Sequence, residues 1–235
     1  RELNQDYVFT ADLPVGKLPN LYLVADGMGG HEHGQLASRI AVQQFATLQS
    51  EHVADGFGLH HMQTLFEQAN AEIYARQEQL QDGIIGTTMT AAAVQNDHLY
   101  LGHVGDSRCY IYREHELIQI SVDHTYYAEL LRMGQVISEQ DEKQKNVLMK
   151  ALGPERTVEG QYLEQKLCEQ DILVLCTDGL YNSVSTEEAM AVLDGVLDGT
   201  YHLQQAVGIF LDKALEHGAR DNLTLILYLH GKTEV

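Results

Sequence analysis

The order of apolar and polar positions along the chain predicts amphipathic helices separated by short buried strands. Apolar residues recur at helical spacing in residues 35–48 and again from about residue 59 to 80, so each stretch predicts a helix with one face in the core. Ser185 and Glu188 form a capping box ahead of a further helix, and residues 203–217 predict the last one. One pair of helices therefore follows the first strands, and a second pair lies near the end of the sequence.

Tight turns join the apolar runs between the two helix pairs. Asn96-Asp97 and Glu114-His115 each stand between two strand-like runs, which predicts β-hairpins and antiparallel pairing rather than βαβ repetition. Together with the helix pairs, this pattern predicts an α+β fold. We expect a four-layer α-β-β-α sandwich of two antiparallel sheets flanked by helices.

A more polar stretch follows the second hairpin. Asp123 is placed to cap a helix over residues 124–133, which Gly134 ends. Residues 135–147 are polar and irregular, and such a segment suits a mobile surface flap. A strand near residues 161–167 then returns the chain to the sheets.

Aspartates stand at the ends of four predicted strands. Asp26 follows the run LYLVA, Asp106 follows HLYLGHVG and Asp178 follows ILVLCT, whereas Asp221 precedes LTLILYL. Because the start of one antiparallel strand lies beside the end of its neighbour, all four can meet at a single sheet edge. One Asp-Gly pair is an ordinary turn signal, but four carboxylates at strand ends favour a functional site.

A cluster of carboxylates indicates a bound cation. Their unperturbed pKa values are about 3.9, so all would be ionised at neutral pH and would repel one another. A hard divalent cation removes this repulsion, and oxygen-only ligands suit magnesium, manganese or calcium. The sequence contains no H-E-x-x-H or C-x-x-C pair, which argues against zinc.

Composition narrows the class of protein further. A chain of 235 residues with 44% hydrophobic and 21% charged residues fits one large globular domain. The net charge of −19 disfavours a nucleic-acid partner, because phosphate backbones attract basic surfaces. Cys109, Cys168 and Cys176 have no metal-binding spacing, so we interpret them as free thiols of a cytoplasmic protein. No apolar run reaches the length of a membrane span, and no signal peptide is visible.

Eight short motifs carry the most specific signal in the sequence. They are R-x-x-N-Q-D at residues 1–6, VADGMGGH at 24–31, GTT at 86–88, VGDSR at 104–108, DH at 123–124, ALG at 151–153, TDG at 177–179 and DN at 221–222. In this order they resemble the metal-dependent protein phosphatases, the PPM family or type 2C, and especially the short bacterial members. The resemblance spans nearly the whole chain and implies a single catalytic domain over residues 1–235 with the sandwich fold predicted above.

The resemblance assigns metal ligands residue by residue. Asp26 would bridge two cations, and the carbonyl of Gly27 would be a further ligand to one of them. Asp178 and Asp221 would complete the shell of the other cation, while Asp6 would act through a metal-bound water. The implied cofactors are two or three divalent cations, Mn²⁺ or Mg²⁺.

The resemblance also assigns a third cation and the substrate contacts. Asp106 matches the third-metal ligand of bacterial members. Arg1 matches the arginine that holds the substrate phosphate, a task suited to a planar guanidinium that donates two parallel hydrogen bonds. Met28 stands where animal members carry a histidine that protonates the leaving group. His31 is then the nearest candidate acid, although we favour a loop histidine that touches the substrate.

The function implied by the resemblance is a serine/threonine protein phosphatase. In this family two adjacent cations activate a shared water, which attacks phosphorus in line without a covalent phosphoenzyme. The expected partners are phosphorylated proteins, substrates of a cognate Ser/Thr kinase, and we expect a monomer. Two residues depart from the family pattern. Gln5 stands where some members carry a glutamate, so one contact outside the inner shell of the metals differs. Lys150 stands where an arginine often precedes ALG, and this change bears on the preference for one substrate over another.

Other classes of protein stay open at this point. A non-catalytic relative would keep the fold and lose ligands, whereas every expected metal aspartate is present here. Another two-metal hydrolase, either a nuclease or a phosphatase of small metabolites, fits the carboxylates equally well. The acidic charge disfavours a nuclease, and turnover of a phosphopeptide compared with a phosphosugar would separate the remaining two. A cysteine phosphatase is disfavoured, because the three cysteines lack a phosphate-binding loop.

Overall fold

A computed structural model gives the fold of most of the chain. The described residues are 3–13, 19–29, 32–47, 56–80 and 83–231, with the backbone alone described for residues 32, 46 and 47. The strands are β1 (Asp6–Ala11), β2 (Asn20–Met28), β3 (Gly86–Thr87), β4 (Met89–Gln95), β5 (His98–Val104), β6 (Arg108–Arg113), β7 (Glu116–Gln119), β8 (Gln161–Lys166), β9 (Ile172–Cys176) and β10 (Leu225–Leu229). The helices are α1 (Glu32–Thr47), α2 (Leu59–Gln79), α3 (Tyr126–Arg132), α4 (Glu139–Glu142), α5 (Asp178–Tyr181), α6 (Thr186–Leu197) and α7 (Leu203–Glu216).

Within these ranges the strands form two antiparallel sheets. The first has the order β1-β2-β4-β5-β8, with β3 paired to the end of β2, and the second has the order β10-β9-β6-β7. The turn from β5 to β6 carries the chain from one sheet to the other. Both predicted hairpins are present, and Asn96, Glu114 and His115 have the positive φ angles that such tight turns require.

Three apolar layers hold the sandwich together. Helices α1 and α2 cover the outer face of the first sheet, where the rings of Phe45 and Phe66 meet edge to face at 5.5 Å. Helices α6 and α7 cover the second sheet around the buried Phe210. The facing sides of the two sheets enclose a third layer, in which the ring centroids of Tyr22 of β2 and Tyr228 of β10 lie 5.0 Å apart. The predicted α-β-β-α sandwich is therefore confirmed.

The second strand is longer than the sequence predicts. The Asp26-Gly27 pair should end it, but β2 continues to Met28 because Gly27 pairs with Thr87 of β3 and Met28 pairs with Gly86. Asp26 is thus fixed within a strand by neighbours on both sides. This rigidity favours accurate placement of its carboxylate.

The segment after the second hairpin also differs from the prediction. Helix α3 begins at Tyr126, and Thr125 caps it by accepting a hydrogen bond from the backbone of Ala128 at 3.2 Å. Asp123 is not the cap, because its carboxylate is paired with the guanidinium of Arg108 at 2.7 Å. The stretch expected to be irregular contains the short helix α4. Among the described helices, none has the length and apolarity that crossing a membrane requires.

Candidate metal centre

Two aspartates from neighbouring strands form the centre of the site. The register of β1 and β2 sets Asp6 directly opposite Asp26, so their side chains share one face of the first sheet. Oδ2 of Asp6 accepts hydrogen bonds from Thr177 Oγ1 at 2.8 Å and Thr224 Oγ1 at 2.7 Å. Its Oδ1 is buried, and no donor in the described part of the chain reaches it. An unsatisfied buried acceptor costs about 1–3 kcal/mol, so this oxygen is suited to a cation or its water.

The two hydroxyl groups that hold Asp6 come from the second sheet. Thr177 follows β9 and Thr224 precedes β10, and the backbone of each bonds to the other residue at 3.0–3.1 Å. This short ladder lies beside Asp178, which opens helix α5, and close to Asp221 in the loop before β10. The site therefore lies between the ends of both sheets, and the prediction of a single sheet edge is wrong.

Close backbone contacts bring the loops of the site together. A Cβ on Gly179 would lie 2.0 Å from the carbonyl oxygen of Asn222, so only glycine permits this approach. Asn222 in turn accepts a hydrogen bond from the backbone N–H of Gln5 at 3.0 Å. A Cβ on Gly27 would lie 2.0 Å from the carbonyl oxygen of Gly34 in α1. The segments that carry the candidate ligands are thus packed without space for side chains between them.

The loop that carries Asp106 is attached to Asp26 through Thr88. Oγ1 of Thr88 accepts a hydrogen bond from the backbone N–H of Asp26 at 3.0 Å and lies 2.6 Å from Oγ of Ser107. Gly105 has a φ of +110°, and a Cβ there would lie 2.5 Å from the side chain of Thr88. The loop therefore needs glycine, and its packing holds Asp106 near the pair in the first sheet.

Burial and mutual repulsion raise the pKa values of these carboxyl groups. Burial, followed by the charge of Asp6 and then of Asp178, Asp106 and Asp221, raises the pKa of Asp26 to about 8. Burial, followed by the charge of Asp178, raises the pKa of Asp106 to about 7. Burial also raises the pKa of Asp6. Removing protons from such a group is unfavourable unless a positive charge is bound among them.

The donor set fits a hydrated hard cation. In the part of the chain that the structure describes, no three His, Cys, Asp or Glu side chains converge closely enough to chelate one ion by themselves. Mg²⁺ is commonly held by one or two carboxylates and keeps several of its waters, so it does not need such a cage. A closed zinc site would need one, and its usual histidine and cysteine ligands are not what gathers here.

The comparisons with known proteins agree with this chemistry. The family model described as protein phosphatase 2C matches residues 1–216. The chain belongs to this family. The resemblance read from the eight motifs is thereby confirmed, and so is the prediction of a serine/threonine phosphatase.

Individual members of the phosphatase 2C family are similar over most of their length. The chain is 34% identical to the serine/threonine phosphatase stp of Listeria monocytogenes serotype 4b (strain F2365) over 219 residues, which cover 88% of this chain and 83% of that protein. The S. agalactiae serine/threonine phosphatase superposes with a TM-score of 0.84 at 30% identity, covering 97% of this chain and 93% of that one. The catalytic domain of PstP in complex with 2 manganese ions superposes with a TM-score of 0.80 at 30% identity, covering 97% and 91%.

Six of the eight predicted site residues lie in the described part of the chain, and two do not. It gathers the five predicted aspartates, Asp6, Asp26, Asp106, Asp178 and Asp221, with Gly27 next to Asp26. Arg1 and His31 lie outside the described residues.

The sequence assigns no role to the hydroxyl groups that bond to Asp6 and Asp26. Thr88 lies in the GTT motif and Thr177 in the TDG motif, whereas nothing in the sequence marks Thr224. Its role depends on the pairing of β9 with β10, which brings it beside Thr177 and Asp6.

Proposed function

We propose that this chain hydrolyses phosphoserine and phosphothreonine monoesters of proteins, with two or three divalent cations, Mn²⁺ or Mg²⁺, at the aspartate site. The observation that carries the proposal is the buried Asp6–Asp26 pair with a carboxylate oxygen that no described donor reaches. The names of the serine/threonine phosphatases to which the chain is similar support the same reaction and substrate class.

Each residue of the site has a separate task in this proposal. Asp26 and the carbonyl of Gly27 would hold cations from the first sheet, while Asp178 and Asp221 would hold them from the second. Asp106 would be a ligand of the third cation. When bound, the cations would activate a water for direct in-line attack on phosphorus and neutralise charge on the phosphoryl oxygens. Asp6 would orient a water in this shell, because Thr177 and Thr224 fix one of its oxygens and leave the other available.

A cleft beside the site supports a polypeptide substrate. It has a volume of about 580 Å³ and is lined by Met28, Ile84, residues 148–151 and the segment around Pro154. Met28 lies two residues beyond Asp26 on the same strand, so the cleft borders the end of the strand that carries Asp26. Its mixture of apolar and charged walls suits the residues on either side of a phosphorylated one.

The remaining parts of the proposal concern Arg1 and His31, the protein partners, the oligomeric state and the cellular location. Arg1 would bind the substrate phosphate and His31 would touch the substrate. The expected phosphoproteins are products of a cognate kinase. We also propose a monomer with a single catalytic domain over residues 1–235. A cytoplasmic location is supported by the three free thiols, because free cysteines are typical of reducing compartments.

Metal removal combined with a choice of substrates tests the proposal. Chelator-treated protein should hydrolyse neither a phosphothreonine peptide nor glucose 6-phosphate, and Mn²⁺ should restore turnover of the peptide far more than of the sugar phosphate. Asp212→Asn, which changes an exposed carboxylate on α7, serves as a control with unaltered turnover. Full activity after chelation would refute the metal mechanism. Preference for the sugar phosphate would refute the protein substrate.

A further inference from the structure

The structure contains a connection between the flap and Asp106 that the proposed reaction does not use. From here on the flap means residues 125–150, which extend the predicted segment 135–147 with its helix α4 to include α3 and the residues that end beside the cleft. Its two ends are bonded to each other, since Thr125 and Leu148 form a β-bridge and the N–H of Tyr126 donates to the carbonyl oxygen of Val147 at 2.9 Å. The flap therefore leaves the body of the protein through one narrow base.

His124 attaches this base to the loop that carries Asp106. The backbone N–H of His124 donates to the carbonyl oxygen of Gly105 at 2.8 Å, and Nδ1 of its ring accepts from the N–H of Gly105 at 3.1 Å. The carbonyl oxygen of His124 accepts from the N–H of Met149 at 2.8 Å, at the far end of the flap. His124 thus contacts both Met149, near the C-terminal end of the flap, and Gly105, the residue before Asp106.

The ring of His124 is held in this orientation by its surroundings. It stacks on His103 with the ring centroids 5.0 Å apart. His103 is fully buried, and its two ring nitrogens contact Thr90 Oγ1 at 2.9 Å and the carbonyl oxygen of Val122 at 3.1 Å. Burial lowers the pKa of His124 to about 4, so its ring is neutral at pH 7 and Nδ1 is free to accept.

Asp123 holds the other side of the same loop. Arg108 donates to its two carboxylate oxygens, from Nε at 3.0 Å and from Nη2 at 2.7 Å. The guanidinium of Arg108 lies 3.6 Å above the ring of Tyr181, whose hydroxyl donates to the carbonyl oxygen of Asp106 at 3.1 Å. Asp106 is consequently held from two sides. His124 bonds to Gly105 before it, and Asp123 acts through Arg108 and Tyr181 on its carbonyl oxygen.

We propose that Asp123 and His124 form a clamp that couples the position of the flap to the carboxylate of Asp106, with His124 as the positioning residue. This inference rests on the proposed function, in which Asp106 holds a cation. Coupling between two sites is reciprocal, so a cation at Asp106 stabilises one flap position, and substrate held by the flap strengthens cation binding at Asp106. The DH motif thereby acquires a role that joins substrate binding to the metal centre.

Hydrogen–deuterium exchange measures this coupling without using activity. In the wild type, Mn²⁺ should slow amide exchange in peptides around Asp26 and Asp178 and also in peptides from the flap. In His124→Ala, Mn²⁺ should still slow exchange around Asp26 and Asp178 but leave the flap unchanged. His124→Asn offers an amide oxygen near the position of Nδ1 and should restore part of the effect. His98→Ala, an exposed histidine at the far end of β5, is the matched control.

Kinetics on a phosphopeptide gives a second readout. We expect His124→Ala to lower kcat and to raise the Mn²⁺ concentration for half-maximal activity about tenfold, the loss typical of residues that support metal ligands. The circular dichroism spectrum should match that of the wild type. If His124→Ala fails to fold, the effect of Mn²⁺ on exchange in the flap of the wild type and of His124→Asn still tests the clamp.

The outcomes separate the two levels of the proposal. Mn²⁺ that protects neither the aspartate site nor the flap of the wild type would refute the proposed function itself. Protection confined to the aspartate site would refute the clamp alone. A flap that still responds to Mn²⁺ in His124→Ala would also refute the clamp.

Discussion

Replacing Asp106 by asparagine tests the electrostatic cost of a buried carboxylate separately from the catalytic role that we propose for it. Asp106 is only 7% exposed, and burial together with the charge of Asp178 raises its pKa to about 7. In the metal-free protein an ionised carboxylate is therefore unfavourable at this position. Asp106→Asn keeps the shape of the side chain and removes the charge, so it should stabilise the metal-free fold.

The expected gain follows from the pKa of this group. A rise from 3.8 to about 7 is roughly three pKa units, which at 1.36 kcal/mol per unit amounts to about 4 kcal/mol at pH 8. The amide remains a buried polar group that costs about 1–3 kcal/mol, so the net gain should be about 1–3 kcal/mol. For a domain of this size each kcal/mol raises Tm by about 2–4 °C.

The gain should depend on pH in a definite direction. Between pH 3.8 and about 7 the folded wild type holds a proton on Asp106 that the unfolded chain has lost, so its stability falls as the pH rises through this range. Asp106→Asn lacks this contribution. The stability difference between the variant and the wild type should therefore be small at pH 5 and largest at pH 8.

Thermal unfolding of chelator-treated protein checks both statements. Wild type, Asp106→Asn and the surface control Asp212→Asn would be compared by circular dichroism from pH 5 to pH 8. A variant no more stable than the wild type at pH 8, or a difference that does not grow with pH, would refute the electrostatic argument. With Mn²⁺ present, Asp106→Asn and Asp106→Ala should each keep two tightly bound metals by calorimetry and lose most phosphatase activity. Unchanged turnover, or loss of both tight sites, would refute the third-metal role.

Three further predictions concern the other residues of the site. Alanine at Asp178 or Asp221 should abolish turnover with an unchanged circular dichroism spectrum, and near-normal turnover at Asp221 would show that this aspartate only forms a turn. Arg1→Ala should raise KM more than it lowers kcat, if the phosphate contact is similar in the ground and transition states; an unchanged KM would count against it. Thr224→Val removes one of the two hydroxyl groups on Asp6 and should weaken Mn²⁺ binding in calorimetry about tenfold, whereas wild-type affinity would show that Thr177 suffices.

The parts of the fold that the sequence predicts are those set by neighbouring residues. The hairpins at Asn96 and Glu114 depend on turn residues that tolerate positive φ, and the cap at Ser185 depends on a side chain three residues away. Amphipathic spacing likewise indicates α1 and α2 to within a few residues. Such local preferences act in the same way whatever the rest of the chain does.

The parts that the sequence does not predict depend on distant partners. Strand β2 continues beyond Asp26 because β3, about sixty residues later in the chain, pairs with its end. Asp123 is a good cap by local rules, but Arg108 occupies it in the folded protein. Thr224 is an ordinary threonine just before a strand, and only the second sheet brings it to Asp6. For the site, aspartates can be found from the sequence, whereas the hydroxyl groups that orient them require the fold.

The same geometry predicts that stability and metal binding are linked in this protein. Five carboxylates held by two sheets and their loops repel one another, and the closely packed glycine contacts at Gly27 and Gly179 leave them little room to separate. A ligand that binds only the folded state, present at about 100 times its Kd, adds about 2.7 kcal/mol of stability. That gain is of the same order as the penalty worked out for Asp106 alone. The apolar layers of the sandwich must therefore hold the metal-free chain together against this repulsion, which bound cations would remove.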